Sequence, residues 1–93
     1  MEFGDHYSAS GTVHQLGIVA EKQSHWPEAV SNFIQVLVTC VELKYHLEQD
    51  LAMRGLARVW RASGDRHVVV ETASVLGIEP DEVQVIFTEL PED

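Results

Sequence analysis

Cysteine occurs only once in this chain, at Cys40. No disulfide can form within one copy, and a reducing, cytoplasmic setting is the expectation. Proline is nearly as rare. Pro27, Pro80 and Pro91 are the only ones, and the intervals between them leave long stretches in which nothing breaks a helix. Positive charge is the third shortage. Six Lys and Arg against 15 Asp and Glu give a net charge of −9. Nucleic acid and anionic membrane surfaces are gripped by Lys and Arg, so neither is an expected partner. No apolar run approaches the ~20 residues that span a bilayer. The start, Met1-Glu2-Phe3-Gly4-Asp5-His6, has neither the basic nor the apolar region of a signal peptide.

What remains is an ordinary globular composition, 45% hydrophobic over 93 residues, enough for one small domain. Residues 1–8 lack periodicity and are expected to form a flexible lead-in to a domain over 9–93. From Ser8 to Gln23, Val13, Leu16, Gly17 and Ala20 fall at i, i+3, i+4 and i+7, one face of a helix. Pro27 suits the first turn of a second helix reaching Tyr45 or Leu47. In that helix Ala29, Val30, Phe33, Ile34, Val36, Leu37, Val38, Cys40 and Val41 cover a wide apolar arc, which requires neighbours on more than one side. A third helix spans about Glu48 to Ser63 and ends at Gly64, a natural left-handed cap. Asp65 caps a fourth, through Leu76 to Gly77, although Val68-Val69-Val70 also suits a strand. Pro80, followed by Asp81 and Glu82, opens a fifth that Pro91 closes. The fold class expected is all-α, with antiparallel helical hairpins joined by short loops.

The chain also repeats itself. Val13, Leu16, Gly17 and Ala20 recur 40 residues later as Met53, Leu56, Ala57 and Trp60, and Ala29 and Phe33 recur as Val69 and Ala73. A fixed period carrying a helix-turn-helix unit marks a stacked repeat. The first unit, Val13-His14-Gln15-Leu16-Gly17-Ile18-Val19-Ala20 with Trp26, Glu28-Ala29 and Phe33, resembles a bacterial tetratricopeptide repeat. The likeness covers about residues 10–45. A weaker second unit covers about 48–77, with Ala57 at the glycine position and Ala73 at the aromatic one. The resemblance implies a stack of two hairpins closed by a capping helix at about 80–90. The spacing exceeds the family's usual ~34 residues, as in longer-helix variants.

Such stacks take a peptide or partner helix in a groove lined by the first helix of each hairpin. By the resemblance, the contact residues are His14, Ile18 and Glu21 and their register equivalents Arg54, Arg58 and Arg61. Three of the chain's six basic residues thus share one helical stripe, about 100° from the Met53/Leu56/Trp60 face. Like charges one turn apart repel by ~0.2–0.5 kcal/mol, a reason to expect an acidic partner. Against that, Asp50 stands one turn before Arg54, and Arg61 near a helix C-terminus is favourable by itself. The family's lysine- and asparagine-based clamp for a terminal carboxylate is not reproduced, so chaperone-tail binding is not implied.

Other chemistry finds no footing. His6, His14, His25, His46 and His67 lack i, i+4 or HxH spacing, so no metal or other cofactor is expected. Cys40 sits in an apolar helix without a base beside it, as a structural thiol does. With no phosphate loop or catalytic triad pattern, the chain is not expected to be an enzyme. Residues 71–86 look like a DNA-binding helix-turn-helix, but the would-be reading helix holds Asp81, Glu82, Gln84 and Glu89 and no basic residue. The reading that remains is a protein-interaction module. Its alternative is an oligomerisation or regulatory piece of a larger repeat protein, associating through the apolar second helix.

Overall fold

The computed structural model describes residues 3–90, with side chains from Thr12 onward. It has five helices: α1 (Phe3–Lys22), α2 (Trp26–Leu43), α3 (His46–Ser63), α4 (Arg66–Leu76) and α5 (Pro80–Glu89). Among the described residues there is no strand. The expected all-α class therefore holds.

Local chemistry sets most boundaries. Pro27 lies in the first turn of α2, where its missing N–H is no loss. Helices α3 and α4 end at Gly64 and Gly77 with φ of 70° and 71°, a conformation glycine adopts without steric cost. Asp65 caps α4 by accepting the His67 N–H at 2.9 Å. At α5 the Glu82 carboxylate accepts the Glu79 N–H at 3.0 Å. Three boundaries differ from expectation, among them the start of α3 at His46 rather than about Glu48. Helix α2 stops at Leu43 because Lys44 turns left-handed, with φ of 61°. Helix α1 starts at Phe3, inside the stretch expected to be a lead-in; residues 3–8 include only Gly4 as a poor helix former, and one glycine costs about 1 kcal/mol without ending a helix. Met1 and Glu2 lie outside the described residues.

Helix α2 is the hub, packing against α1, α3 and α4, while α5 rests on α4 and α3. Its Ala29, Val30, Phe33, Val36, Leu37 and Cys40 are all buried. Most of the wide apolar arc is thus covered within the chain, while Ile34 and Val38 are half-buried and Val41 is exposed. The Val68–Val70 run is helical, with Val68 and Val69 buried in the core; burial outweighs the β-branched preference. Thr72, the one buried polar side chain among the described residues, donates its hydroxyl to the Val68 carbonyl at 2.9 Å.

The two units do not bury matching residues. Leu56 is fully buried, whereas Leu16, expected on the core face, is 53% exposed. The same reversal separates Ala52, Gly55 and Val59, all buried, from Thr12, Gln15 and Val19 at the 40-residue offset, all exposed. Helix α3 packs its face on α2, and the corresponding face of α1 has no element before it among the described residues.

Candidate functional site

Helix α1 brings His14, Ile18 and Glu21 onto one face through their i, i+4, i+7 spacing. Helix α3 meets that face with Arg58. The guanidinium donates from Nε to Glu21 Oε2 at 2.7 Å and from Nη2 to Glu21 Oε1 at 2.9 Å, a two-pronged pair linking residues 37 positions apart. The His14 ring stands edge-on to Phe33, with centroids 5.4 Å apart and planes at 61°. Burial holds the imidazole below its ordinary pKa, and the nearby Arg58 charge adds to the effect; Glu21 opposes both. Ile18 is half-buried against the core.

The other two arginines of the stripe go elsewhere. Arg54 pairs along its own helix, its Nε 3.0 Å from Asp50 Oδ2. Arg61 turns toward α5, where Nη2 donates to the Phe87 carbonyl and, at 3.0 Å, to the Leu90 carbonyl. Those carbonyls lie at the C-terminal end of a helix, where acceptors lack intrahelical partners. Of the six residues expected to line a groove, the structure gathers His14, Ile18, Glu21 and Arg58. It sets Arg54 one turn away and engages Arg61 in holding α5.

Gly55 escaped the sequence reading. A Cβ built on it would lie 2.8 Å from the Phe33 ring, and one on Gly17 would lie 2.9 Å from the same edge. Phe33 is therefore wedged between the backbones of α1 and α3, and this wedge positions Glu21 and Arg58 for their contact. The available signal was a glycine within a helical run, which costs stability unless something packs closely there.

Among the described residues no group of three or more His, Cys, Asp or Glu side chains is placed to hold a metal, and no helix is long and apolar enough to cross a membrane. Comparison with protein-family models, curated proteins and solved structures returned no match.

Proposed function

We propose that this chain is a non-catalytic protein-interaction module of the tetratricopeptide-like kind, with α1–α2 and α3–α4 as its hairpins and α5 as the cap. The reading is carried by one observation: His14, Ile18 and Glu21 of α1 meet Arg58 of α3 on a shared face. That face offers an apolar step, an imidazole and a charge pair to a peptide or partner helix. Arg58 is held by a half-buried carboxylate. Arg54 is paired to Asp50, whose side chain is 45% exposed, and exposed pairs contribute only about 0–1 kcal/mol. Arg54 is thus the arginine that an acidic ligand engages first. A cytoplasmic setting fits the single buried thiol.

The test is selection of binding peptides from a random display library, followed by mapping of the best on the protein by amide chemical shifts. Shifts at His14, Ile18 and Arg58, with binding lost in Ile18→Asp, are expected. Peptides that bind without moving those residues would sink the reading.

Assembly into a larger repeat array is the second reading. It is favoured by the exposed Leu16 and Val19 on α1, whose register equivalents Leu56 and Val59 are fully buried. Light scattering on a size-exclusion column separates the two readings. An interaction module runs at its monomer mass of 10.4 kDa, and a self-assembling repeat does not.

A further inference from the structure

Between α2 and the first turns of α4 lies a cleft of about 360 Å³, none of whose lining residues belongs to α1 or α3. Trp26 walls it, Val30, Ile34 and Val68 line it, and Asp65 and Glu71 carry negative charge at its edge. Neither Lys nor Arg is among its lining residues. Arg66, the closest arginine in sequence, is directed toward α5, with Nη2 3.8 Å from Asp81. The volume sits at the small end of ligand pockets, suited to one or two side chains rather than a large cofactor.

We infer that this cleft binds an arginine or lysine side chain of a partner protein, with its aliphatic stem on Ile34 and Val30 and its cationic head between Trp26 and Glu71. Three features converge on that chemistry. The lining is apolar over the length that a methylene stem needs. An indole face attracts a cation, arginine most of all. The permanently charged lining residues, Asp65 and Glu71, are both acidic, on a chain with net charge −9, so complementarity selects a basic partner and repels a second copy of this chain. Glu71 has a companion in His67, its Nε2 2.7 Å from Glu71 Oε2. A histidine is charged only when protonated, whereas a guanidinium is charged at every physiological pH, so it displaces the imidazole. Asp65 contributes less than Glu71, because its Oδ1 caps α4 and the helix N-terminus partly offsets its charge. This inference is independent of the α1–α3 face and stands or falls without it.

The probe is the blocked tripeptide leucyl-arginyl-leucine, with leucyl-citrullyl-leucine and leucyl-glutamyl-leucine as controls, titrated into isotopically labelled full-length chain. The arginyl peptide is expected to shift the Trp26 indole N–H and the Val30, Ile34 and Val68 amides saturably. The Trp60 indole, packed on Phe87 with centroids 5.7 Å apart, serves as the internal control and is identified with Trp60→Phe. Glu71→Gln is expected to weaken the arginyl peptide roughly two- to fivefold, as for a partly exposed ion pair. Asp65→Asn, which keeps the cap, has a smaller effect. Trp26→Ala, checked for helicity, loses roughly tenfold. Three equal titrations, no shift at Trp26, or shifts confined to the α1–α3 face would each overturn the inference.

Discussion

The edge of the Phe33 ring lies where a side chain on Gly55 would have to begin, with 2.8 Å between the ring and an added Cβ. Gly17 meets the same edge from α1 at 2.9 Å. The ring is fully buried, so it has no open space into which to retreat. Gly55→Ala is therefore expected to destabilise the protein by about 1–3 kcal/mol, as overpacking does, even though alanine favours a helix by about 1 kcal/mol. Phe33→Leu should cost less in the Gly55→Ala background than alone. Denaturant melts of the four members of this cycle check the coupling; additive costs would mean that the ring and the glycine do not meet.

Leu16 and Leu56 stand 40 residues apart on α1 and α3, yet one is 53% exposed and the other fully buried. Leu56→Ala should cost about 2–5 kcal/mol, because transfer energy and an uncollapsed cavity add. Leu16→Ala should stay within about 0.5 kcal/mol, as surface changes do. Thermal melts of the two variants, measured side by side, decide the matter.

That contrast marks how far the sequence was legible. Helix positions followed from Pro27, Gly64, Asp65, Gly77 and Pro80, because caps and breakers act locally. Phe33 and Leu56 were recognisable as core residues from periodicity. The exposure of Leu16 was not, since periodicity names an apolar face without saying whether an element exists to cover it. Gly55 was hidden by a register that aligned Gly17 with Ala57, when the shared partner of Gly17 and Gly55 is a single ring from another helix. The arginine stripe was legible only in part. Helical spacing fixes where Arg54, Arg58 and Arg61 leave the backbone and puts Asp50 one turn from Arg54, but the ends of Arg58 and Arg61 are set by tertiary packing, on Glu21 and on the α5 carbonyls.

Arg61 and Arg54 should consequently differ under the same substitution. Arg61→Gln removes a charged donor from two carbonyls at the end of α5 and is expected to cost about 1–3 kcal/mol. Arg54→Gln loses only the pair with Asp50 along its own helix and is expected to cost about 0.3–0.5 kcal/mol. Urea midpoints of the two variants give the comparison. Hydrogen exchange should place the Arg61→Gln loosening in α5.

Cys40 is fully buried. Burial pushes its thiol above the ordinary range, and the Glu48 charge adds to the rise. The thiolate is the reactive species, so a disulfide reagent at neutral pH should label native protein only at the rate of opening, and unfolded protein within the mixing time. Rapid native labelling would place the thiol at the surface.

His14 should leave a signature in the pH dependence of stability. Its folded pKa lies below the ordinary value of 6.5, through burial first and Arg58 second, with Glu21 opposing. Above pH 6.5 the imidazole is neutral in both folded and unfolded chains and contributes no slope. As the pH falls below 6.5, the unfolded chain takes up the proton while the folded chain resists it. Stability is thus lost between pH 6.5 and the lower folded value. Across that window the parent should lose more stability than His14→Gln, in which the titrating group is gone. The electrostatic origin has its own check in the His14 ring resonance followed by NMR. Glu21→Gln removes the opposing charge and should lower the midpoint further, whereas Arg58→Gln should raise it. Midpoints that stay fixed in both variants would leave burial as the sole cause and would mean that the Glu21–Arg58 pair does not reach the ring.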